Sequence, residues 1–381
     1  MQEKSGCFSK ISRITARQRI RSALAAALIF ACLAALLPGR AQAAPELSAR
    51  SAVLLDCATG RVLYEKDAGA RRLIASTTKI MTGLLIAERC PLDEAVTIPA
   101  AACGIEGSSL YLKPGEVLTV EQLLYGLLLQ SGNDAAVALA LHCSGSVPAF
   151  VAEMNRRAAA LGLRDTHFAN PHGLDDDGNY ATARDLASLA AYAMNQPDFA
   201  RIAGTKTASI PGRSLCNHNK LLWRYDGADG VKTGYTKAAG RILVSSAVRG
   251  GRRLVAVTIN APDDWRDHEK LLDDGFGKFA EKALLTEGQM VCELPVAGGA
   301  QTYCDLLAAE TCTFPVAETE HVSFRILAPD FLYAPVKAGQ VVATAEVLLD
   351  GHPVASCPLR AKEEIKIAQK ERRSFWQKLW K

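Results

Sequence analysis

The pattern of apolar and polar positions divides one region of the chain into strands at its two ends and helices in its middle. Short apolar runs broken by glycine-containing turns predict two β-hairpins, one over 51–64 and one over 241–259. Between them, apolar residues recur at helical spacing. The predicted helices cover 76–89, 119–129, 135–143, 148–161 and 183–194. This order predicts an α+β domain whose antiparallel sheet is built from both ends of the region and flanked by helices.

Several helix ends carry specific signals. Thr119 and Gln122 have the spacing of a capping box at the start of the second helix. Asn133 or Asp134 is expected to cap the third helix, since short polar side chains favour that position. A last helix, from about 268 to 285, is expected to close the domain.

Beyond residue 288 the helical period disappears, and short strands separated by turns predict a small all-β domain. The expected layout is therefore a signal peptide at 1–43, the α+β domain at 44–282, the β-rich domain at 283–360 and a basic tail at 361–381.

The N-terminus has the composition of a secretory signal peptide. A basic segment is followed by the apolar run 22–37, by Pro38-Gly39-Arg40 and by Ala41-Gln42-Ala43, a small-residue cleavage site. We expect cleavage after Ala43. An uncleaved anchor is the alternative, but the run is shorter than the ~20 residues that a spanning helix needs.

Export changes the charge of the protein. Residues 1–43 carry seven bases and one acid, so the remainder has 37 bases, 39 acids and a net charge of −2. The tail 361–381 carries +4, which leaves −6 on the body. A body of this charge does not support binding to nucleic acid.

The cysteines do not form a recognisable framework. Eleven are present, and nine remain after residue 43, an odd number without a C-x-x-C pair or metal-ligand spacing. Several lie in apolar contexts, which favours buried free thiols over disulfides. A bridge among the four C-terminal cysteines stays open. They are Cys292, Cys304, Cys312 and Cys357.

Candidate chemistry begins at Ser76-Thr77-Thr78-Lys79. Residues three apart share a helix face, so the Lys79 amine can reach the Ser76 hydroxyl. At a helix N-terminus the Ser76 N–H is also unsatisfied. One turn of chain therefore supplies a nucleophile, a base and an oxyanion donor.

Two further motifs follow in order. Ser131-Gly132-Asn133 lies at a helix junction and offers a hydroxyl for proton transfer and an amide for holding a peptide bond. Lys232-Thr233-Gly234 precedes the second hairpin, where a strand edge would present Lys232 and Thr233 to a carboxylate. Gly234 would let the backbone approach closely. Each motif alone is as well explained by a helix cap, a turn or a surface lysine; the three together favour a catalytic site.

The segments around this trio resemble the active-site segments of D-alanyl-D-alanine carboxypeptidases, the low-molecular-mass penicillin-binding proteins. The resemblance is strong over about 47–282 and looser beyond. The segments that carry it are 73–82, 112–115, 129–136, 170–174, 217–222 and 229–240. One departure is Asn179, where the family would have His.

The resemblance implies a serine D,D-carboxypeptidase that removes the terminal D-alanine of peptidoglycan stem pentapeptides and is acylated by β-lactam antibiotics. Ser76 would be the nucleophile, Lys79 its base and Ser131 a proton relay, with no metal or organic cofactor. Asn133, Lys232, Thr233 and Gly234 would bind substrate, and Tyr235 would donate a second oxyanion N–H.

Three alternatives stay open. A β-lactamase would need a carboxylate to activate water, and the nearby acids, Glu153 and 175–177, fit no such pattern. A non-catalytic peptidoglycan-binding protein is disfavoured by the intact trio. A Ser-His-Asp triad lacks a G-x-S-x-G elbow. Its candidate histidines would be His142, His172, His218 and His268.

The tail has the features of an interfacial membrane helix. Most of its basic residues lie away from the centre of an apolar face that contains two tryptophans, and Arg372 alone interrupts that face. The face consists of Ile365, Ala368, Phe375, Trp376, Leu379 and Trp380. We expect it to hold an exported enzyme at the outer face of the cytoplasmic membrane, where peptidoglycan is assembled. A solvated helix, or one packed on the β domain, is the alternative.

Overall fold

The computed structural model describes residues 44–369. The expected signal peptide at 1–43 and the last part of the tail, 370–381, lie outside the described residues. The helices are α1 (Lys79–Arg89), α2 (Val120–Leu129), α3 (Asn133–Ser144), α4 (Val147–Ala160), α5 (Ala183–Ala193), α6 (Pro197–Ala203), α7 (Leu221–Arg224) and α8 (Asp264–Lys278), with single 3₁₀ turns at Ala75–Thr78 and Ala100–Ala102.

The strands fall into an N-terminal half and a C-terminal half. The first half contains β1 (Ser51–Asp56), β2 (Val62–Lys66), β3 (Arg72–Leu73), β4 (Ala95–Thr97), β5 (Val117–Thr119), β6 (Tyr180–Ala181), β7 (Thr207–Ile210), β8 (Arg213–Cys216), β9 (Ala228–Thr236), β10 (Gly240–Arg249) and β11 (Arg252–Ile259). The second half contains β12 (Phe279–Leu285), β13 (Met290–Ala297), β14 (Tyr303–Ala308), β15 (Cys312–Ala317), β16 (Val322–Leu327), β17 (Leu332–Tyr333), β18 (Val341–Leu349) and β19 (His352–Ala361).

A five-stranded antiparallel sheet, ordered β2-β1-β11-β10-β9, confirms the predicted α+β class and both predicted hairpins. Because side chains alternate across a strand, the two faces of β1 pack into different clusters. Val53 and Leu55 join the large cluster formed with α1–α6, and Ala52 and Leu54 join the smaller one that contains α8 residues. Strand β9 forms the edge of the sheet, and this edge faces the 3₁₀ turn that holds Ser76.

The predicted helices of the middle are confirmed, and one predicted cap is wrong. The capping box of Thr119 and Gln122 is present at the start of α2. Helix α3, however, begins at Asn133 with Gly132 at the cap position, and no side chain caps it. The side chains of Asn133 and Asp134 instead accept hydrogen bonds from more distant parts of the chain, which the local pattern does not encode.

The predicted closing helix at 268–285 is also wrong in its limits. Helix α8 begins earlier, at Asp264, and ends at Lys278. Residues 279–285 form β12, which pairs with β15. Hydrogen bonds to the backbone of β15 take the place of those that a helix would form within itself. The expected boundary at residue 282 therefore falls within a strand that pairs with the C-terminal half.

The C-terminal half is all-β, as predicted. Six strands, ordered β16-β18-β19-β14-β13-β17, form one sheet, and β12 and β15 form a pair. Arg61 of the β1–β2 turn contacts this half directly. Its guanidinium lies 5.1 Å from the ring of Phe279 and 5.5 Å from that of Phe314, and it pairs with Glu320.

The first part of the predicted helical tail is extended. Ile365 is buried in the β-domain core and forms a β-bridge with Val336, and Ile367 bridges to Gly299. Bridge pairing satisfies the backbone here, so an amphipathic helix cannot begin at residue 365. Within residues 44–369, no single helix is long and apolar enough to cross a membrane. Helices α3 and α4 taken together have the length and composition of a membrane span, but the chain bends by 86° between them.

Candidate active site

Ser76 and Lys79 occupy the 3₁₀ turn before α1 and the first residue of that helix. The Lys79 amine donates to Ser76 Oγ at 3.1 Å, to Asn133 Oδ1 at 2.6 Å and to the backbone carbonyl of His172 at 2.5 Å. Three acceptors from three parts of the chain thus fix the amine beside the serine hydroxyl. This is the spacing that proton transfer from a nucleophile to a base requires.

The surroundings favour the neutral form of the Lys79 amine. Its side chain is fully buried, and burial lowers its pKa well below the ordinary value because the charged form loses its hydration. The positive charge of Lys232 lowers the pKa further, and the negative charge of Asp134 opposes both effects. In the neutral form its two N–H groups donate to Asn133 Oδ1 and the His172 carbonyl, and its lone pair can accept the proton of Ser76.

Strand β9, at the edge of the sheet, places Lys232, Thr233 and Gly234 beside the turn that holds Ser76. A Cβ at Gly234 would lie 3.3 Å from both the Ser76 nitrogen and the Ile74 oxygen, closer than most side chains can approach. Lys232 is fully buried, its amine donates to the Thr233 carbonyl at 3.0 Å, and burial lowers its pKa to about 7. Tyr235 follows and is 65% exposed.

Ser131 and Asn133 face the same centre from the α2–α3 junction. Ser131 is held at a φ of 62°, and no partner for its buried hydroxyl lies within the described residues. A buried hydroxyl without a partner is available for a substrate atom. The Asn133 amide accepts from Lys79, and its nitrogen donates to the Glu106 carbonyl at 2.6 Å.

Sequence reasoning considered Asp134 only as a possible cap of the third helix, whereas its side chain holds the loop above this junction. Its carboxylate accepts from the backbone nitrogens of Leu110 and Leu112 and from the Ser109 hydroxyl, at 2.6–3.1 Å. The same loop receives the Asn133 backbone N–H at the Ser108 carbonyl, 2.7 Å away. Asp134 therefore positions the loop around Asn133.

Residues 170–174 form a second support that sequence reasoning noted only as a resemblance. The His172 carbonyl accepts from Lys79, and the Pro171 carbonyl accepts from Thr82 at 2.6 Å. Gly173 has a φ of +89°, and a Cβ there would lie 1.9 Å from the Ala75 oxygen. Only glycine lets this loop lie directly against the turn that holds Ser76.

Asn179, the departure from the family pattern, is buried and donates from its amide to the Thr78 hydroxyl at 3.0 Å. This hydrogen bond supports the turn between Ser76 and Lys79. A side chain that donates a hydrogen bond is therefore sufficient for this role at position 179. The supporting role of Asn179 could have been inferred from its position in the loop before α5, near the segment 170–174 that carries the family resemblance.

Five of the eight predicted site residues line one cleft of about 690 Å³. Ser76, Ser131, Thr233, Gly234 and Tyr235 reach its surface. Asn133, Lys79 and Lys232 lie behind that surface in the contacts described above. Within residues 44–369, no group of three or more His, Cys, Asp or Glu side chains is arranged to hold a metal ion.

The histidines do not form a triad with Ser76. His268 is buried against the opposite face of the sheet, between Ser245 Oγ at 2.6 Å and Thr258 Oγ1 at 3.0 Å. His172 reaches the site through its backbone carbonyl, and burial followed by the charge of Lys79 lowers the pKa of its ring to about 4. His142 pairs with Glu94 at 3.3 Å.

Family comparison agrees with this geometry. Residues 39–263 match the model of the D-alanyl-D-alanine carboxypeptidase family, and residues 279–367 match that of the penicillin-binding protein 5 C-terminal domain. The chain belongs to the D-alanyl-D-alanine carboxypeptidase family. The predicted family and the predicted class of enzyme, a serine D,D-carboxypeptidase, are confirmed.

Individual members of the carboxypeptidase family match over most of their length. The D-alanyl-D-alanine carboxypeptidase DacA of Escherichia coli (strain K12) is 36% identical over 379 residues, 93% of each chain. DacF of Bacillus subtilis (strain 168) is 36% identical over 336 residues, 84% of this chain and 86% of its own. The solved structure of penicillin-binding protein 5 from Haemophilus influenzae matches with a TM-score of 0.74 and 32% identity, covering 85% of this chain and 99% of its own.

Proposed function

We propose that this enzyme removes the terminal D-alanine of peptidoglycan stem peptides through an ester on Ser76. The observation that carries the proposal is the contact of 3.1 Å between Ser76 Oγ and the buried Lys79 amine. Ser76 Oγ attacks the carbonyl carbon of the penultimate D-alanine while Lys79 takes its proton. Burial favours this step because it lowers the pKa of the amine.

The developing oxyanion would be held by backbone N–H groups of Ser76 and Tyr235. The close approach of Gly234 to the Ser76 nitrogen supports this, because it brings β9 alongside the turn. Backbone donors fixed in this way stabilise charge that appears only in the transition state.

The leaving D-alanine needs a proton on its nitrogen and a partner for its carboxylate. Ser131, whose hydroxyl is uncommitted, would relay the proton that Lys79 took. Lys232 and Thr233 would bind the carboxylate, and Asn133 would orient the substrate amide. An arriving carboxylate raises the pKa of Lys232 from about 7, so binding itself favours the cation. Water then attacks the ester and releases the shortened peptide.

A β-lactamase reading finds no support at the acids that could activate water. Glu153 pairs with Arg89 at 2.7 Å and also with Arg156. Asp175 accepts from the Thr236 hydroxyl at 2.7 Å. Both carboxylates are already engaged by other side chains, which favours a long-lived penicilloyl ester.

The test uses labelled penicillin and a peptide ending in D-alanyl-D-alanine. Wild type should be labelled covalently and release free D-alanine, and Ser76→Ala should do neither. Ser188→Ala, which removes an exposed hydroxyl bonded only to the Arg184 carbonyl in the same helix, is the matched control and should behave as wild type. Persistent labelling of folded Ser76→Ala would refute the assignment of the nucleophile.

We further propose that the enzyme is exported and held at the outer face of the cytoplasmic membrane by residues 370–381. These residues carry five bases and one acid, so all of the +4 of the tail lies here. They also contain four large apolar side chains. The four are Phe375, Trp376, Leu379 and Trp380. Basic charge with interfacial tryptophans suits the surface of an anionic membrane.

Co-sedimentation with anionic and neutral vesicles at low and high salt tests the membrane proposal. The full chain should bind anionic vesicles, less strongly at high salt, and a chain ending at Gln369 should not. This end point keeps Ile365 in the β-domain core. Equal binding by the two proteins would refute the anchor and leave the catalytic assignment intact.

A further inference from the structure

Two cysteines lie side by side at the ends of α1 and α3 that point away from the catalytic site. Cys90 caps the C-terminus of α1 and donates its N–H to the Ile86 carbonyl at 3.0 Å. Cys143 is in the last turn of α3, and both side chains pack half-buried against the same hydrophobic core. The nine cysteines of residues 44–369 are all free thiols in this structure.

Helices α1 and α3 pack against each other, and the thiols of Cys90 and Cys143 at their C-terminal ends interact directly. Contact with the Cys90 thiol lowers the pKa of Cys143, burial opposes this, and the Ser144 hydroxyl and the charges of Arg89 and His142 lower it further. Contact with Cys143 and burial raise the pKa of Cys90, so Cys143 is the thiol of the pair that ionises more readily. A thiolate with a second thiol in contact is the pairing from which a disulfide forms.

The other cysteines with shifted pKa values are of the opposite kind. Burial raises the pKa of Cys57 to about 12, and it also raises the pKa values of Cys292, Cys304 and Cys312. Such thiols stay protonated and react slowly. The pair at the ends of α1 and α3 therefore differs from them in both contact and ionisation.

We propose that Cys90 and Cys143 form a disulfide that joins α1 to α3. The oxidant is a disulfide of the thiol–disulfide exchange class, carried by a protein or a small molecule. The Cys143 thiolate attacks one sulfur of that disulfide, forms a mixed disulfide and releases the first thiolate. Cys90 loses its proton, attacks Cys143 Sγ and releases the second thiolate. One disulfide is reduced to two thiols, which take up the two protons, and one disulfide forms.

The position of the bond links it to the catalytic centre. Helix α1 begins with Lys79 and α3 begins with Asn133, and these two side chains meet at 2.6 Å. A disulfide at the opposite ends would fix the two helices at both ends. It also closes a long loop, which restricts the unfolded chain. Export, as proposed above, would bring the protein to an oxidising compartment in which a disulfide can form. Formation of this disulfide does not require the catalytic activity proposed for Ser76.

The experiment treats the purified full-length protein with oxidised glutathione, blocks free thiols and maps peptides without reduction. The expected result is a linked peptide pair containing Cys90 and Cys143, 2 Da lighter than the two thiol peptides. Oxidation should raise the Tm by about 5–10 °C. Complete alkylation of both cysteines after oxidation, or linkage of either one to a different cysteine, would overturn the proposal.

Variants separate this bond from other oxidation. The double variant Cys90→Ser/Cys143→Ser should lose the oxidation-dependent rise in Tm, whereas Cys103→Ser should keep it, because Ser preserves the hydrogen bond of Cys103 to the Pro99 carbonyl. A rise that persists in the double variant would count against the bond. The wild-type peptide map does not depend on any variant folding. Penicillin labelling of the same samples reports on Ser76 alone, so failure of the catalytic proposal and failure of the disulfide proposal give different results.

Discussion

Replacing Gly173 by alanine tests how the loop at 170–174 supports catalysis. The new Cβ would lie 1.9 Å from the Ala75 oxygen, and real Cβ atoms stay at least 3.0 Å from such neighbours. The loop or the turn at Ser76 must therefore move by about 1 Å, which is the scale of misplacement that costs on the order of 100-fold in rate. The contact between Lys79 and the His172 carbonyl lies within this moving part.

Backbone strain at the positive φ of Gly173 adds a separate cost in stability, and a matched control variant measures that cost by itself. Gly173 has a φ of +89°, and alanine in the left-handed region costs about 1–2 kcal/mol. Gly162 has a φ of +73°, with nothing within 4 Å of its ideal Cβ position. Gly162→Ala should therefore lose about 1–2 kcal/mol of unfolding free energy and keep its rate of acylation. Gly173→Ala should lose more stability, and about 100-fold in acylation rate.

Stopped-flow acylation with a fluorescent penicillin measures the rate, and urea unfolding measures the stability. Both proteins are compared at a temperature at which circular dichroism shows them folded. If folded Gly173→Ala is acylated within twofold of Gly162→Ala, the loop does not position the Lys79 amine, and the argument from its close approach is wrong.

Three further changes test other parts of the site and fold. Lys232→Ala should slow hydrolysis of peptides with a free C-terminal carboxylate by at least about 10-fold. For amide-capped peptides the difference in rate between variant and wild type should nearly vanish. An equal loss of rate on the two kinds of peptide would exclude the carboxylate role. Asp134→Asn should lower the free energy of unfolding in urea by about 2–4 kcal/mol, because an amide places a donor against the N–H groups of Leu110 and Leu112. The same change should move the acid limb of the pH profile of acylation to lower pH, since it removes a negative charge that raises the Lys79 pKa. Burial lowers the pKa of His268 to about 3, so the unfolded state binds the extra proton and stability falls below pH 6.5. The free energy of unfolding should be about 2 kcal/mol lower at pH 5 than at pH 7 through this ring, and an unchanged pH slope in His268→Gln would refute it.

The catalytic residues were predictable where local spacing carries the chemistry. Ser76 and Lys79 are three residues apart, so one turn of chain brings them together whatever the rest of the fold does. The order of the three motifs and the strand–helix–strand pattern then indicated a common centre. The comparisons support the family, and the residue roles themselves remain predictions.

The supports of the site were not predictable, because their partners are far away in sequence. Asp134 was expected to cap α3, but its partners lie at Ser109, Leu110 and Leu112, over 20 residues away. Residues 279–285 fit a helical pattern as well as an alternating one, and pairing with β15 decided between them. Ile365 likewise fitted an amphipathic helix until the β domain offered it a buried position. In each case tertiary contacts outweigh local preference.

The buried amine of Lys232 has a thermodynamic consequence for any carboxylate that docks on it. With a pKa of about 7, roughly half of these amines are neutral at pH 7 in the empty enzyme. A carboxylate that docks on Lys232 favours the cation, so ligand binding must draw up to about half a proton per molecule from the buffer at that pH. The observed binding enthalpy should therefore vary with the ionisation enthalpy of the buffer, and the affinity for the terminal carboxylate should weaken as the pH rises above 7. If Lys232 binds the substrate carboxylate as we propose, recognition is coupled to proton uptake before any covalent bond changes.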